Sequence, residues 1–245
     1  MLFGCGVGIR PPMATCAQIF DRFAAHLLPQ SLSEGVAVRM RSLARLERIG
    51  RGMVAPVAGD GQLLAFIADG AAKLVAHTAS GREQILGFYF ASDLLLLPAR
   101  AEHGYALHGL TDCTLLVMPH HQVREIACAD PVLAVSLLDS AERSLSRCRD
   151  KAVTLGRKTA SERMAGFLLS MVERAGTPRQ GAIVLDLPMS RRDIADGIGL
   201  TIETVSRQLS QLREDGLIST SGRSQVTLLD PSRLKARAGF ISCAA

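Results

Sequence analysis

A polar stripe formed by Glu203, Ser206, Arg207 and Ser210 contains the side chains best suited to chemistry on a partner. Their i, i+3, i+4 and i+7 spacing places all four on one face of a helix. An arginine can donate two hydrogen bonds to O6 and N7 of guanine, and a glutamate can accept one from the amine of cytosine. The stripe therefore predicts a surface that reads DNA bases, although the same residue types also occur on helical faces that only meet solvent.

Two short helices are predicted to position this stripe. Ser190 and Thr201 are N-cap residue types, and each precedes a segment of helical periodicity. Both hydroxyls are also expected to contact DNA. The first helix follows Ser190, the second runs from Ile202 to about Asp215, and Gly199 lies in the turn between them. The buried stripe of the second helix is Val205, Leu209 and Leu212. Two helices joined by a short turn with glycine are typical of a helix-turn-helix, whose second helix enters the major groove.

A β-wing is predicted after the second helix. The apolar pair at 217–218 and the run Val226–Leu229 can form two strands around the polar turn at 220–224. Arg223 lies in that turn, where its guanidinium could reach a phosphate. The C-terminal part therefore has the pattern of a winged helix-turn-helix.

The positive charge of the chain supports a polyanionic partner. Of the net charge of +5, residues 1–150 contribute nothing, with 14 basic and 14 acidic side chains. Residues 151–245 carry 14 basic and 9 acidic side chains. Because neutralised phosphates supply most sequence-independent affinity for DNA, this asymmetry favours a DNA-binding half attached to a neutral half.

Length and composition exclude several other classes. The 245 residues suggest two domains, and 48% hydrophobic with 21% charged residues indicates a packed protein. No apolar run approaches the ~18 residues of a membrane span, and residues 1–10 lack a secretory signal. We therefore expect a cytoplasmic protein with reduced thiols and no membrane partner.

An enzyme is not expected. The sequence has no glycine-rich phosphate loop, zinc spacing or nucleophile elbow. His120 and His121 are interpreted as neighbours on a strand, where their side chains would point to opposite faces and could not share a site.

Short β-rich runs between residues 49 and 119 predict an antiparallel roll. Turn residues separate them at 58–61, 69–70 and 79–81. The runs are Leu63–Ala68, Ala72–His77, Gln84–Tyr89 and Thr114–Met118. Two amphipathic helices, Ala17–Leu28 and Val36–Leu46, are predicted before the roll.

A long helix follows Pro131. Apolar residues alternate at intervals of four and three, which is the seam of a coiled coil. The seam consists of Ala134, Leu138, Ala141, Leu145, Cys148, Ala152 and Leu155. We interpret it as a dimer interface, with packing against the chain's own roll as the alternative. Cys148 would face its copy across the axis, either as a small apolar residue or as a source of an intersubunit disulfide.

The predicted fold is α+β, with an antiparallel β-roll, a dimerisation helix and a winged helix-turn-helix. Gly156 is expected to interrupt the long helix, and Thr159 with Glu162 forms a capping-box sequence that starts the next one. The expected units are a tail (1–17), the roll (18–130), the dimer helix (131–157) and the DNA-binding domain (158–245).

The run from Leu187 to Ile218, LPMSRRDIADGIGLTIETVSRQLSQLREDGLI, resembles the DNA-binding motif of the CRP/FNR family of bacterial transcription regulators. The segment GREQILGF at 81–88 is similar to the β-roll of the FNR and FixK-like branch. The order of roll, long helix and winged helix extends this resemblance from about residue 18 onward. It implies that the roll is like a cyclic-nucleotide-binding domain. It also implies a homodimeric regulator, expected to be an activator, that binds promoter DNA and acts with RNA polymerase.

The resemblance also implies roles for individual residues. The family's recognition triad falls on Glu203, Ser206 and Arg207. Ile202 stands where members that respond to cyclic AMP have an arginine, and an aliphatic side chain can offer only apolar contact there. The resemblance therefore implies a TTGAT-N4-ATCAA-like palindrome.

A cyclic nucleotide is not expected as the signal. The family's cyclic-AMP binders use a Gly-Glu turn followed by an arginine that holds the phosphate. The corresponding positions here are Ser92 with Asp93 and His103 with Gly104. The arginine is missing, and a buried phosphate needs such a guanidinium.

The signal and any cofactor stay open. Cys5 and Cys16 do not reproduce the closely spaced cysteines of the family's iron–sulfur members, and Cys113 and Cys128 are interpreted as small buried residues. Heme is a further alternative, but no spacing among the histidines of the roll singles out a ligand. The chain could also sense nothing, or be a ligand-binding module whose winged helix contacts only protein.

Overall fold

The computed structural model describes residues 14–27, 32–56, 61–77, 83–98, 104–179, 182–222 and 224–239. Residues 1–13 of the expected tail and Arg223 of the expected wing lie outside them.

The N-terminal half is the predicted antiparallel roll. One sheet has the order β1-β7-β2-β5 and the other β4-β3-β6. The strands are β1 (Arg45–Ile49), β2 (Leu63–Asp69), β3 (Ala71–His77), β4 (Glu83–Phe90), β5 (Leu94–Leu97), β6 (Gly104–Gly109) and β7 (Cys113–Pro119). Apolar side chains from both sheets share one core that includes Ile67, Leu107 and Leu115. The chain's own apolar side chains therefore fill the interior between the two sheets.

Helices α1 (Cys16–Leu27) and α2 (Glu34–Leu43) precede the roll. Two expectations from the sequence are wrong, one just before the first strand of the roll and one just after its last strand. The predicted helix through Leu46 stops at Leu43, because residues 45–49 pair with β7 as an edge strand. The histidines interpreted as strand neighbours begin a helix, α3 (His120–Cys128). The argument that they point to opposite faces of a strand was therefore wrong.

The long helix α4 spans Pro131–Arg157, and the Asp130 carboxylate caps it by accepting a hydrogen bond from the Leu133 amide at 2.8 Å. Gly156 does not interrupt it, contrary to the sequence expectation. Glycine costs a helix interior only about 1 kcal/mol, which the last turn tolerates. Leu133 and Ser136 are buried, and Leu133 belongs to a cluster with residues of α1, α3 and the strands of the roll, whereas every residue from 141 to 150 is exposed.

The C-terminal part has four helices and a small sheet in the described residues. Helices are α5 (Ala160–Ala175), α6 (Arg191–Ile198), α7 (Ile202–Glu214) and α8 (Pro231–Arg237); strands are β8 (Gly176–Arg179), β9 (Ala182–Asp186), β10 (Ile218–Ser221) and β11 (Gln225–Leu228). The expected capping box forms at the start of α5, where the Thr159 amide donates to the Glu162 carboxylate at 2.7 Å. The predicted wing strands pair antiparallel, and β9 and β8 extend them in the order β10-β11-β9-β8. The sequence pattern had not indicated β8.

The two halves share a hydrophobic cluster. Phe88 of β4 packs edge-on against Phe167 of α5, with 5.9 Å between ring centroids. Buried residues of the roll and of the winged helix belong to the same cluster. The DNA-binding-like part is therefore packed against the roll.

Candidate nucleic-acid interface

Helix α6 begins with a reciprocal cap. The Ser190 hydroxyl accepts a hydrogen bond from the Asp193 amide at 3.1 Å, and the Ser190 amide donates to the Asp193 carboxylate at 2.8 Å. The helix ends at Gly199, whose φ of +66° is the left-handed conformation that glycine adopts most easily. Caps at both ends fix the length of α6, so the turn into α7 has a defined start. The Ser190 hydroxyl that the sequence assigned to DNA is engaged in this cap.

Helix α7 presents the predicted polar face. The Thr201 hydroxyl accepts a hydrogen bond from the Thr204 amide at 3.2 Å and caps the helix. Val205, Leu209 and Leu212 are buried, as expected. On the opposite side Glu203 and Arg207 are exposed, and Ser206 and Ser210 are half-buried. The stripe therefore faces outward over about two turns.

Glu203 and Arg207, the exposed charged side chains of the polar stripe, can bind a partner. The pKa of the Glu203 carboxyl lies below its usual value, because its own backbone amide and the Thr201 hydroxyl donate to it. It is therefore an ionised acceptor at neutral pH. The ion pairs among the described residues do not include Arg207. Its guanidinium can therefore donate outward.

Ile202 is less available for contact with DNA than the sequence indicated. It is half-buried and packs against the hydrophobic cluster that the two halves share. The reason is its position seven residues before Leu209, which places both on the same side of the helix. An apolar contact from Ile202 to DNA would use the remaining exposed part of the side chain.

The wing has the predicted hairpin geometry. Ile218 pairs with Leu228 and Ser221 with Gln225. Gly222 has a φ of +61°, which the tight turn between the strands requires. Arg223 follows it, outside the described residues, so its phosphate contact stays a prediction.

Arg163 was not predicted to matter and holds the helix-turn-helix in place. Its guanidinium donates to the carbonyls of Gly199 at 3.0 Å and Leu155 at 2.8 Å. These bonds join the turn between α6 and α7 to the end of α4. Since the partners are backbone carbonyls of two other segments, no sequence motif could have shown them.

The predicted seam on α4 lies on an open surface. Leu138 is 58% exposed and Leu145 is 49% exposed, and Ala134, Ala141, Cys148 and Ala152 are exposed too. Leu155 is half-buried beside Gly199, where the seam meets the winged helix. The alternative of packing against the chain's own roll applies to a different face of α4, the one with Leu133.

Asp93, which lies at the position of the Gly-Glu turn of the family's cyclic-AMP binders, is bound by arginines of the same chain. The Asp93 carboxylate forms an ion pair with Arg174 of α5 and lies 3.9 Å from the Arg147 guanidinium of α4. It also accepts a hydrogen bond from the Phe90 amide at 2.7 Å. The acidic group is therefore committed to the chain's own arginines.

An iron–sulfur cluster does not fit the cysteines in the described part of the chain. Burial raises the pKa of Cys113, whose thiol donates to the Ala71 carbonyl at 2.9 Å, so it is a structural residue as expected. Cys128 is exposed, and the expectation that it is buried was wrong because it lies at the outer end of α3. In the described ranges no three His, Cys, Asp or Glu side chains are grouped to hold a metal ion.

Comparison with known proteins places these features in context. Residues 162–237 match the Crp-like helix-turn-helix domain. The chain is 37% identical over 175 residues to the nitrogen fixation regulation protein FixK of Bradyrhizobium diazoefficiens, covering 70% of this chain and 72% of that protein. It is 33% identical over 180 residues to the transcriptional activator protein FnrL of Cereibacter sphaeroides, covering 72% and 73%.

A solved structure agrees with the sequence comparison. The structure of FixK2 from Bradyrhizobium japonicum is similar with a TM-score of 0.71 and 31% identity, covering 81% of this chain and 99% of that one.

Among the residues that our structure describes, no helix has the length and apolar character to cross a membrane.

Proposed function

This chain belongs to the CRP/FNR family of bacterial transcription regulators, in its FixK-like branch, and we propose that it acts as a homodimer on a palindromic promoter site. The family and its relatives make it a DNA-binding regulator and not an enzyme. The observation that carries the finer proposal is the outward polar face of α7, with Glu203 and Arg207 exposed and the helix capped by Thr201.

The proposed site is TTGAT-N4-ATCAA. In each half-site Arg207 donates its two hydrogen bonds to guanine, and Glu203 accepts from the amine of the opposite strand's cytosine. Thr201, Ser206 and Ser210 flank these contacts, Ser190 lies at the start of α6, and Arg223 of the wing binds a phosphate. The exposed seam of α4 joins the two copies, which places one α7 in each of two successive major grooves.

Activation through RNA polymerase is the proposed output, supported by the relatives named as activators. The proposed regulator has no bound cofactor. The ion pairs of Asp93 and the hydrogen bonds of Cys113 support this proposal, because these two side chains already have partners in the chain and are not open to a nucleotide or a cluster.

A gel-shift titration tests the proposal. Purified protein is mixed with a duplex carrying TTGAT-N4-ATCAA, with a half-site duplex and with a scrambled duplex at one salt concentration. We expect the palindrome to bind about 10³-fold or more tightly than the scrambled DNA, as specific sites do. Equal binding of all three duplexes would contradict sequence readout and favour a module whose winged helix contacts protein.

Position 202 gives a second prediction. Ile202→Arg is expected to shift base preference toward a site with an added guanine, because a guanidinium can extend from the half-buried position into the groove. Selection of bound sequences from a randomised half-site measures the shift, with Ile202→Val as the control that keeps the packing. An unchanged preference in a folded Ile202→Arg protein would remove position 202 from the reading surface.

A further inference from the structure

The hairpin of β3 and β4 in the roll makes direct polar contacts with α6, the first helix of the DNA-binding motif. Lys73 of β3 forms an ion pair with Asp193 at 2.6 Å, and the two side chains are only 20% and 14% exposed. Gln84 of β4 donates its amide to the Asp196 carbonyl at 2.6 Å. The contacts join residues more than 110 positions apart in the chain. These contacts therefore depend on how the roll and the DNA-binding motif are placed relative to each other.

An apolar contact lies beside the polar ones. The ring of Phe88 sits so close to Gly197 of α6 that a Cβ there would approach it to 2.9 Å. Glycine at this position lets α6 lie directly on the aromatic ring. The pair of polar contacts and the ring contact together hold one face of α6 along β4.

The same hairpin is tied to the long helix. The Lys151 ammonium of α4 donates to the carbonyls of Ile85 at 2.5 Å and Leu86 at 3.0 Å. Burial lowers the pKa of Lys151 to about 8. The β4 strand therefore contacts both the proposed dimer helix and α6.

We propose that Lys73 and Gln84 are positioning residues for DNA recognition, which fix the angle of α6 and α7 to the dimer helix and so set the half-site spacing that the dimer accepts. This inference rests on the proposed function. Neither residue touches DNA in it. They act through Asp193 and Asp196, on the side of α6 that faces the roll.

The charge state of Asp193 suits a fixed joint, which is the set of contacts that links the roll to α6. Burial by itself would raise the pKa of Asp193, but hydrogen bonds from Lys73 and Ser190 and the Lys73 charge outweigh it, and the pKa is lowered. The carboxylate is therefore ionised at neutral pH and serves both the α6 cap and the ion pair. Loss of Lys73 removes the link to the roll, whereas the cap keeps its partners because the Ser190 amide binds the other carboxylate oxygen of Asp193.

Spacing selectivity is the property to measure. One added base pair moves a half-site by roughly 3.4 Å and rotates it by roughly 35°, since one turn holds 10–10.5 base pairs. A dimer whose recognition helices are held at a fixed angle should bind the altered spacing more weakly than the four-base-pair spacing. A dimer whose recognition helices can move should show a smaller difference. A residue that only stabilises the fold would weaken binding to all spacings alike.

The experiment compares wild type, Lys73→Met, Gln84→Leu and the double variant on duplexes with four, three and five base pairs between the half-sites. We expect the preference for the four-base-pair spacer to fall about tenfold in the double variant, with binding to scrambled DNA unchanged. Lys235→Met is the matched control, because Lys235 is exposed on α8 and its loss removes one charge without touching the joint.

Hydrogen exchange on the free protein supplies a readout without DNA. Faster exchange in α6 and β4 of Lys73→Met, with a native fold elsewhere, shows that the joint has opened. If exchange rises while spacing preference stays at the wild-type value, the positioning role is overturned and the proposed function stands. If wild type prefers no palindrome at all, the proposed function fails and the positioning role fails with it.

Discussion

Arg207→Ala is expected to abolish preference for the palindrome while leaving most of the affinity for unrelated DNA. A bidentate contact to guanine is worth about 1–3 kcal/mol of discrimination. A symmetric dimer loses it twice, once in each half-site. Affinity for scrambled DNA should change little, because one phosphate-neutralising charge per subunit is a small part of the non-specific attraction.

Arg213→Ala is the matched control, since it removes the same charge from the exposed last turn of the same helix. Base contacts come mainly from the N-terminal residues of a recognition helix, so Arg213 should matter for affinity and not for sequence preference. The measurement is the ratio of dissociation constants for palindromic and scrambled duplexes at fixed salt. A wild-type ratio in Arg207→Ala would show that the assigned reading face is wrong.

The reading motif could be predicted from sequence because its determinants are local. Ser190, Thr201 and Gly199 each act on backbone groups within a few residues, and the stripes of α7 depend only on helical spacing. The structure has these caps and the turn where the sequence indicated. Local chemistry at a helix end therefore carries over to the structure.

Other features depended on distant segments and could not be read locally. Leu46 lies on a strand because β7 offers its edge, and Ile202 is half-buried because the cluster around Leu209 reaches it. The ion pair of Lys73 with Asp193 spans 120 residues and follows no motif. The arrangement of the two halves is set by such contacts, which is why the sequence predicted both domains and not the joint between them.

Leu138→Glu and Leu145→Glu are each expected to give a folded monomer. Both leucines are about half exposed in the single chain, so a glutamate there costs the isolated fold little. In a symmetric seam each change places two carboxylates in one apolar interface, and uncompensated buried charge is strongly destabilising. A penalty of about 3 kcal/mol raises the dissociation constant of the dimer roughly a hundredfold.

Sedimentation at micromolar concentration measures the effect, with Val38→Glu as the control because Val38 is 57% exposed on α2, away from the seam. The control should stay dimeric, which separates the seam from a general effect of exposed charge. Binding to the palindrome should fall in the seam variants to the level of the half-site duplex, since one reading head supplies half of the contacts. If both seam variants stayed dimeric, the two copies would have to meet on another surface, and the exposed apolar face of α4 would need a different partner.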